Sequence, residues 1–190
     1  EEFRPEGMAQ RILGLGDIMG LIQKVSQVQA DLTQEEIEKQ QKKLAKGDFN
    51  RRVEECRRVF ELLRAHAPAA RVLCDVPRSR GEAHAEELGP LLLKRARHVS
   101  SEVERTYQAR SALLGGRHDE FGACVSATHA SLRDGYEVSV PELDCIVASA
   151  QHWPGVLGAR LTGAGFGGCA VVVLPRGARE GFAEHIQDDF

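Results

Sequence analysis

The chain has 190 residues, 42% of them hydrophobic and 28% charged, which is the balance of a globular protein and not of a disordered one. Its net charge of −3 provides no general attraction to nucleic acid or to anionic lipid. No apolar run is long enough to span a membrane. We therefore expect a chain that binds neither nucleic acid nor membrane.

The five cysteines are an odd number, and they include no Cys-x-x-Cys pair. This pattern argues against a zinc site and against a disulfide framework, so we expect no metal ligands. Most of the cysteines fall among apolar residues, so we expect them to fill small spaces in a core. Reduced cysteines and the lack of a recognisable secretory signal predict a cytoplasmic location.

The first 46 residues are predicted to be helical. Apolar residues recur at helical spacing over residues 18–28, and glycines before them indicate a bend. Thr33 and Glu36 form a capping box at the start of a second helix, which ends at Gly47. This helix has few apolar positions, so its lysines are expected on a solvated face and not on RNA.

The central part of the chain is also predicted to be mainly helical. Apolar spacing predicts helices over residues 51–66, 81–94, 100–114 and 117–132, with a short extended piece over residues 72–76. Val103, Tyr107 and Leu114 are expected to point inward. His129 lies near an apolar stripe, and we expect a structural hydrogen-bonding role for it before a catalytic one.

A capping box formed by Ser139 and Glu142 predicts the start of another helix. Glu142 and Asp144 then lie in its first turn, where the helix dipole favours negative charge without any catalytic role. A final helix is expected over residues 176–190.

A glycine-rich loop is the most distinctive feature of the sequence. Gly163, Gly165, Gly167 and Gly168 lie within six residues, and short β-type runs precede and follow them. The spacing of three of these glycines fits the dinucleotide-binding pattern G-x-G-x-x-G. That fingerprint must lead into a helix, whereas this loop leads into a strand, so we predict strand, loop, strand. A tight hairpin without a ligand is the alternative.

The full sequence of this loop is more specific to one family than the spacing of its glycines. The segment GARLTGAGFGGC, residues 158–169, resembles the third motif of galactokinases, in the kinase family that also phosphorylates homoserine, mevalonate and phosphomevalonate. Residues 126–144, SATHASLRDGYEVSVPELD, resemble the preceding galactokinase segment. A third match is Arg97-His98-Val99, with Glu102 and Arg105 after it. The resemblance covers about residues 50–190.

The resemblance implies an α+β fold, in which a helical layer packs on a small antiparallel sheet. It also implies that the four glycines lie beside the phosphates of ATP and the sugar. The complete family enzyme uses ATP and Mg²⁺ and binds galactose or a similar sugar, but we expect neither cofactor to bind tightly to this chain alone. The family adds a strand after the last helix, and without it we expect an exposed sheet edge through which chains could associate.

The first part of the chain resembles a different family. Residues 3–22, FRPEGMAQRILGLGDIMGLI, and residues 45–49, AKGDF, are similar to the linker and the start of the methionine-rich domain of the signal-recognition-particle GTPase. With two methionines and no phosphate-binding G-x-x-x-x-G-K-[ST], this segment keeps neither function. We therefore predict a helical arm over residues 1–49 and a galactokinase-like domain over residues 50–190.

Phe49 stands where the two resemblances meet. Galactokinases have a Tyr-Asn pair here, whose Tyr contacts the sugar, and Phe49-Asn50 would occupy it. Phenylalanine can stack on a sugar but has no hydroxyl to donate. Either Phe49 is a weakened sugar-binding residue or the match is accidental, and we favour the second.

Functional expectations follow from what phosphoryl transfer requires. The phosphates must be cradled, Mg²⁺ held and the acceptor hydroxyl oriented. In galactokinases a Gly-Leu-Ser-Ser-Ser loop, an Asp base and an Arg do this, and nothing here matches them. No catalytic residue is therefore assigned. We expect an incomplete C-terminal part of a galactokinase, inactive alone. The alternatives are a catalytically dead sugar-binding or interaction module and an artificial fusion of two fragments.

Overall fold

The computed structural model describes residues 47–189. Only the last three residues of the predicted arm over residues 1–49 are therefore described. Its two predicted helices and the Thr33 cap lie outside the described residues. The described elements run in the order α1 Asp48–Leu63, α2 Arg78–Ala83, α3 Ala85–Leu114, α4 His118–Ala130, a π-helical turn Ser131–Tyr136, α5 Pro141–His152, β1 Gly158–Thr162, β2 Cys169–Val173 and α6 Phe182–Asp189.

The first core forms between α1 and α3. Val59 and Leu63 from α1 are almost fully buried and pack with apolar residues of α3, namely Leu88, Leu92 and Ala96. The predicted helix over residues 51–66 is thus confirmed, but its buried face differs from a simple apolar stripe. Arg52 and Glu55 are buried, whereas Val53 is 48% exposed, because Arg52 finds polar partners inside the fold.

Two expectations about the central helices are wrong. Residues 95–99 continue the helix instead of separating two helices, and the break lies at Gly89, whose φ of 66° precedes Pro90. Proline disfavours helical geometry in the residue before it, which accounts for the position of this kink. Tyr107 and Leu114 are 71% and 74% exposed, because the end of α3 buries Ala112 instead.

Two local predictions also need correction. Residues Leu73–Asp75 form a 3₁₀ turn and not an extended piece, because the Asp75 carboxylate accepts hydrogen bonds from the Arg71 and Val72 amides. The N-cap of α5 is Val140, and no side chain caps this helix. Ser139 instead donates from its hydroxyl to Asp144 Oδ1 at 2.5 Å.

A two-stranded antiparallel hairpin forms the sheet in the described residues, with Gly158 opposite Val173 and Thr162 opposite Cys169. α4 approaches β1 so closely that a Cβ built on Gly158 would lie 3.0 Å from Gly122 Cα. The hairpin also packs against α5 and α6. We call this packing the hairpin core; its members are Val147, Ala150, Ala159, Ala170, Val172, Phe182 and Ile186.

The architecture therefore confirms the predicted fold class, an α+β arrangement with a helical layer on a small antiparallel sheet. Among residues 47–189, no helix is both long enough and apolar enough to cross a membrane.

Candidate active-site loop

The loop between β1 and β2 has an unusual backbone. The four predicted glycines have φ values of 92°, 81°, 123° and 100° at Gly163, Gly165, Gly167 and Gly168. Glycine adopts such angles at little cost, and side chains seldom do. Phe166 adds a fifth left-handed position at 61°, which the glycine pattern did not predict. Five of the six residues 163–168 are thus left-handed, and few other sequences could form a loop of this shape.

One side of the loop is anchored and the other is open. The Phe166 amide donates to the Val138 carbonyl at 2.7 Å, and a Cβ built on Gly165 would lie 2.6 Å from Val138 Cβ. A Cβ on Gly163 or Gly167 would meet no atom of residues 47–189 within 4 Å. A ligand could therefore approach the backbone closely at these two open positions.

The loop connects two antiparallel strands, as the sequence predicted. A dinucleotide-binding fingerprint places its pyrophosphate at the N-terminus of the helix that follows the glycines. Here β2 follows them, so no helix end is available at that point. The G-x-G-x-x-G spacing is therefore coincidental.

The segment that anchors the loop is itself held by a cluster of five charged residues, of which Arg52, Glu55 and Arg95 are buried. We call this the charged cluster; its members are Arg52, Glu55, Lys94, Arg95 and Glu137. Arg95 is 0% exposed and donates to Glu55 Oε2 at 2.6 Å, to Glu137 Oε2 at 2.5 Å and to the Gly135 carbonyl at 2.6 Å. Arg52 donates to the Tyr136 and Glu137 carbonyls. The cluster thus holds Glu137, the residue before Val138, by its carboxylate and by the backbone carbonyls of Tyr136 and Glu137.

Glu137 occupies a strained position in this arrangement. Its φ of 59° and ψ of 50° are left-handed, and it ends the π-helical turn. Strained residues of this kind concentrate at functional sites, where the surrounding structure holds them in place. Hydrogen bonds from Lys94 and then Arg95 lower the pKa of Glu137 to about 2, so its carboxylate stays charged at neutral pH. Periodicity could not reveal this cluster, because its members are charged residues from separate parts of the chain.

His129 connects the hairpin to α5. It is buried, and its Nδ1 accepts a hydrogen bond from the Leu161 amide at 3.3 Å. Its Nε2 lies 3.2 Å from Asp144 Oδ1 without a hydrogen bond of good geometry. Burial lowers the pKa of His129, which favours the neutral ring. The expected hydrogen-bonding role is therefore present, and Asp144 faces the ring in addition to lying near the start of its helix.

The third sequence match lies along α3. His98 stacks on Tyr136 with ring centroids 4.5 Å apart, and its Nδ1 lies 2.8 Å from the Ser131 hydroxyl. Burial lowers the pKa of His98 to about 4 and raises that of Tyr136 to about 12. Arg97 pairs with Glu82 on the surface. His98 therefore supports the π-helical turn before Glu137, while Arg97 joins α2 to α3.

Phe49 lies in the first turn of α1 and is 43% exposed. Its ring is accessible enough to stack on a ligand, but nothing in its surroundings identifies one. Its role in sugar binding stays a prediction.

Comparison with known proteins identifies the same part of the chain. The family model described as GHMP kinases C terminal matches residues 109–190. The chain is 41% identical over 150 residues to a galactokinase of Enterococcus faecalis, covering 78% of this chain and 38% of that protein. It is 40% identical over 147 residues to human galactokinase, covering 77% and 36%.

A solved structure shows the same fold. Lactococcus lactis galactokinase complexed with galactose matches with a TM-score of 0.69 at 36% identity, over 77% of this chain and 38% of that one. The chain thus spans less than two-fifths of the length of these relatives. The chain carries a GHMP kinase C-terminal domain of the galactokinase type.

Proposed function

We propose that this chain is the C-terminal part of an ATP-dependent galactokinase, which converts galactose and ATP to galactose 1-phosphate and ADP. The observation that carries the proposal is the glycine loop, anchored on Val138 and open at Gly163 and Gly167. This loop lies in a fold that matches a galactokinase complexed with galactose. The names of the relatives support the same reaction.

The loop's proposed contribution is to let the sugar and the ATP phosphates approach the protein backbone. The open positions lack a Cβ that would keep a ligand at a distance, and the anchored side prevents the loop from collapsing into the space. Phosphoryl transfer depends mainly on positioning and electrostatic stabilisation, so a fixed loop can contribute without supplying a reactive side chain. We assign no catalytic residue to this chain.

The described residues fit ATP and Mg²⁺ differently. The open backbone of the loop suits a phosphate that approaches closely. Mg²⁺ prefers oxygen ligands in octahedral geometry. Between residues 47 and 189, no three Asp or Glu carboxylates converge on one point.

A complementation assay tests the proposal. The purified chain is measured for galactose-dependent ATP consumption alone and after addition of the separately produced N-terminal half of Enterococcus faecalis galactokinase. We expect no turnover alone and turnover with both parts. Turnover by the chain alone would contradict our view that it is inactive by itself. If galactose raises the melting temperature but neither sample turns over, the chain is a binding module instead.

Two glycine variants test the role of the loop in the same assay. Gly167→Ala adds a methyl group on the open side of the loop and should lower turnover by the complemented enzyme. Gly116→Ala is the matched control, because Gly116 also has a left-handed φ of 68° but lies outside the loop. A Cβ there likewise meets no atom of residues 47–189 within 4 Å. Equal turnover of both variants would remove the loop from the proposed site.

We also propose that the boundary between the two resemblances lies near residue 49. α1 begins at Asp48, so Phe49 and Asn50 share one helix with the galactokinase-like part. One long read of the source nucleic acid across the codons for residues 40–60 tests whether the two parts form a real fusion. Reads that never contain both parts would show that residues 1–49 belong to another protein. Association through the sheet edge stays a prediction.

A further inference from the structure

Two histidines and a glutamate meet where a 3₁₀ turn, α2 and the start of α3 come together. His66 ends the 3₁₀ turn that follows α1, His84 joins α2 to α3, and Glu87 lies in the first turn of α3. We propose that these three side chains form a binding site for a divalent transition-metal ion, with Zn²⁺ as the ion that it suits best. The site does not depend on the proposed kinase activity.

Distances between the ligand atoms support the site. His66 Nε2 and His84 Nδ1 each lie 3.6 Å from the same atom, Glu87 Oε2. One ligand atom from each residue lies within 4.8 Å of the others. A tetrahedral zinc ion with bonds of about 2.0–2.2 Å separates neighbouring ligand atoms by about 3.4 Å. The two nitrogen–oxygen separations therefore need to change by only a few tenths of an ångström.

The chemistry of the three groups selects the metal. Two imidazoles and one carboxylate are typical ligands of Zn²⁺, whereas Mg²⁺ and Ca²⁺ prefer oxygen ligands alone. The carboxylate also offsets part of the charge of the ion. Three protein ligands leave the fourth tetrahedral position to water. Glu87 is exposed and both histidines are partly exposed, so an ion can reach the site from solvent.

Binding must change one contact in the structure. The rings of His66 and His84 are stacked, with centroids 3.7 Å apart and an interplanar angle of 22°. The lone pairs of nearly parallel rings point in similar directions and do not converge on one ion. Rotation about χ2, which has a broad energy minimum in histidine, would bring them together. Metal binding should therefore separate the stacked rings.

The sequence pattern could not reveal this site. We expected no metal because the cysteines show no ligand spacing, whereas the proposed ligands lie 18 and 3 residues apart on different elements. They meet only because the first core packs α1 against α3. A bound ion would join these elements and stabilise the folded chain, since the unfolded chain does not hold the ligands together.

Isothermal titration of the purified chain with Zn²⁺ tests the site. We expect one equivalent to bind and the melting temperature to rise. Each single ligand variant should raise the dissociation constant for Zn²⁺ at least about tenfold. These variants are His66→Gln, His84→Gln and Glu87→Gln. His118→Gln is the matched control, because His118 is exposed at the start of α4 and lies outside the cluster, so its variant should bind as the original chain does.

Free thiols are the main competing ligands. Cys74, Cys145 and Cys169 are exposed, so the expectation that most cysteines fill a core is wrong. Alkylated chain should therefore still bind one equivalent of Zn²⁺, and bound Co²⁺ should show a tetrahedral visible spectrum without sulfur charge-transfer bands. Loss of binding after alkylation, or sulfur bands with Co²⁺, would overturn the proposal. Equal affinity in all three ligand variants, or no binding by the original chain, would do so as well. The cobalt spectrum is measured on the unmutated chain, so the test does not depend on whether a variant folds.

Discussion

The charged cluster and the hairpin core bury their side chains by opposite means. In the charged cluster Arg95 is fully buried, and it donates to two carboxylates and to the Gly135 carbonyl. The hairpin core consists of aliphatic and aromatic side chains around Ala150 and Ala159, which are fully buried. The first region depends on complete pairing, whereas the second depends on shape and volume.

Three consecutive residues connect the charged cluster to the glycine loop that the hairpin carries. The Tyr136 carbonyl accepts a hydrogen bond from Arg52, and the Glu137 carboxylate pairs with Arg95. The Val138 carbonyl accepts the Phe166 amide of the loop. The position of the loop thus depends on an ionic arrangement as well as on the hairpin that carries it. The predictions below test how tightly the two regions are coupled.

Arg95→Ala should have the largest effect. It removes the fully buried cation that joins Glu55 to Glu137. Arg52 remains paired with Glu55 and Lys94 with Glu137, but breaking a buried pair typically costs about 3–5 kcal/mol of unfolding free energy. Urea unfolding is followed by circular dichroism and by the fluorescence of Trp153, which packs near Phe182 in the hairpin core. Both signals should shift together; an unchanged Trp153 transition would show that the two regions unfold independently.

Arg97→Ala is the matched control for that variant. Arg97 lies on the same helix and also pairs with a carboxylate, Glu82, but on the surface. An exposed pair contributes about 0–1 kcal/mol, so this variant should unfold almost as the original chain does.

Leu161→Ala should destabilise the hairpin by about 3 kcal/mol, because it removes a fully buried leucine from β1 and leaves a cavity. Val171→Ala on the neighbouring strand is the control, since Val171 is largely exposed and should lose less than about 1 kcal/mol. Urea unfolding measures both. Similar losses would mean that the hairpin is not packed as described.

Gly165→Ala should cost about 1–3 kcal/mol more than Gly163→Ala. Both variants place a side chain at a left-handed backbone position, but only the first brings its Cβ against Val138. The difference in unfolding free energy therefore isolates the contact that anchors the loop. Amide exchange at Phe166 should be faster in Gly165→Ala alone; equal exchange in both variants would contradict the anchor.

Acid should produce the smallest effect. The folded-state pKa of Glu137 is lowered from 4.5 to about 2, so its ionised form stabilises the fold above pH 4.5. This contribution is lost as the pH falls from about 4.5 to about 2. Because the side chain is partly exposed, we expect on the order of 1 kcal/mol. The stability difference between the original chain and Glu137→Gln should shrink over that interval; a constant difference would contradict the assignment.

Short-range sequence patterns predicted one helix and the hairpin correctly. Apolar spacing located α1, and the glycine cluster between β-type runs located the hairpin. The wording of residues 158–169 indicated the galactokinase relationship, which the comparisons support. The same periodicity failed for Tyr107 and Leu114, because an apolar residue near a helix end is buried only if another element covers it.

The sequence by itself thus determined the fold class, the hairpin and the family, since these follow from short-range patterns and from the sequences of motifs. Tertiary structure alone decided that Arg52 and Glu55 are buried, that Glu137 is held in a left-handed conformation and that Val138 anchors the loop. The reason is physical. A polar side chain is buried only where distant residues supply its partners, and Arg95 meets Glu55 across 40 residues and Glu137 across 42.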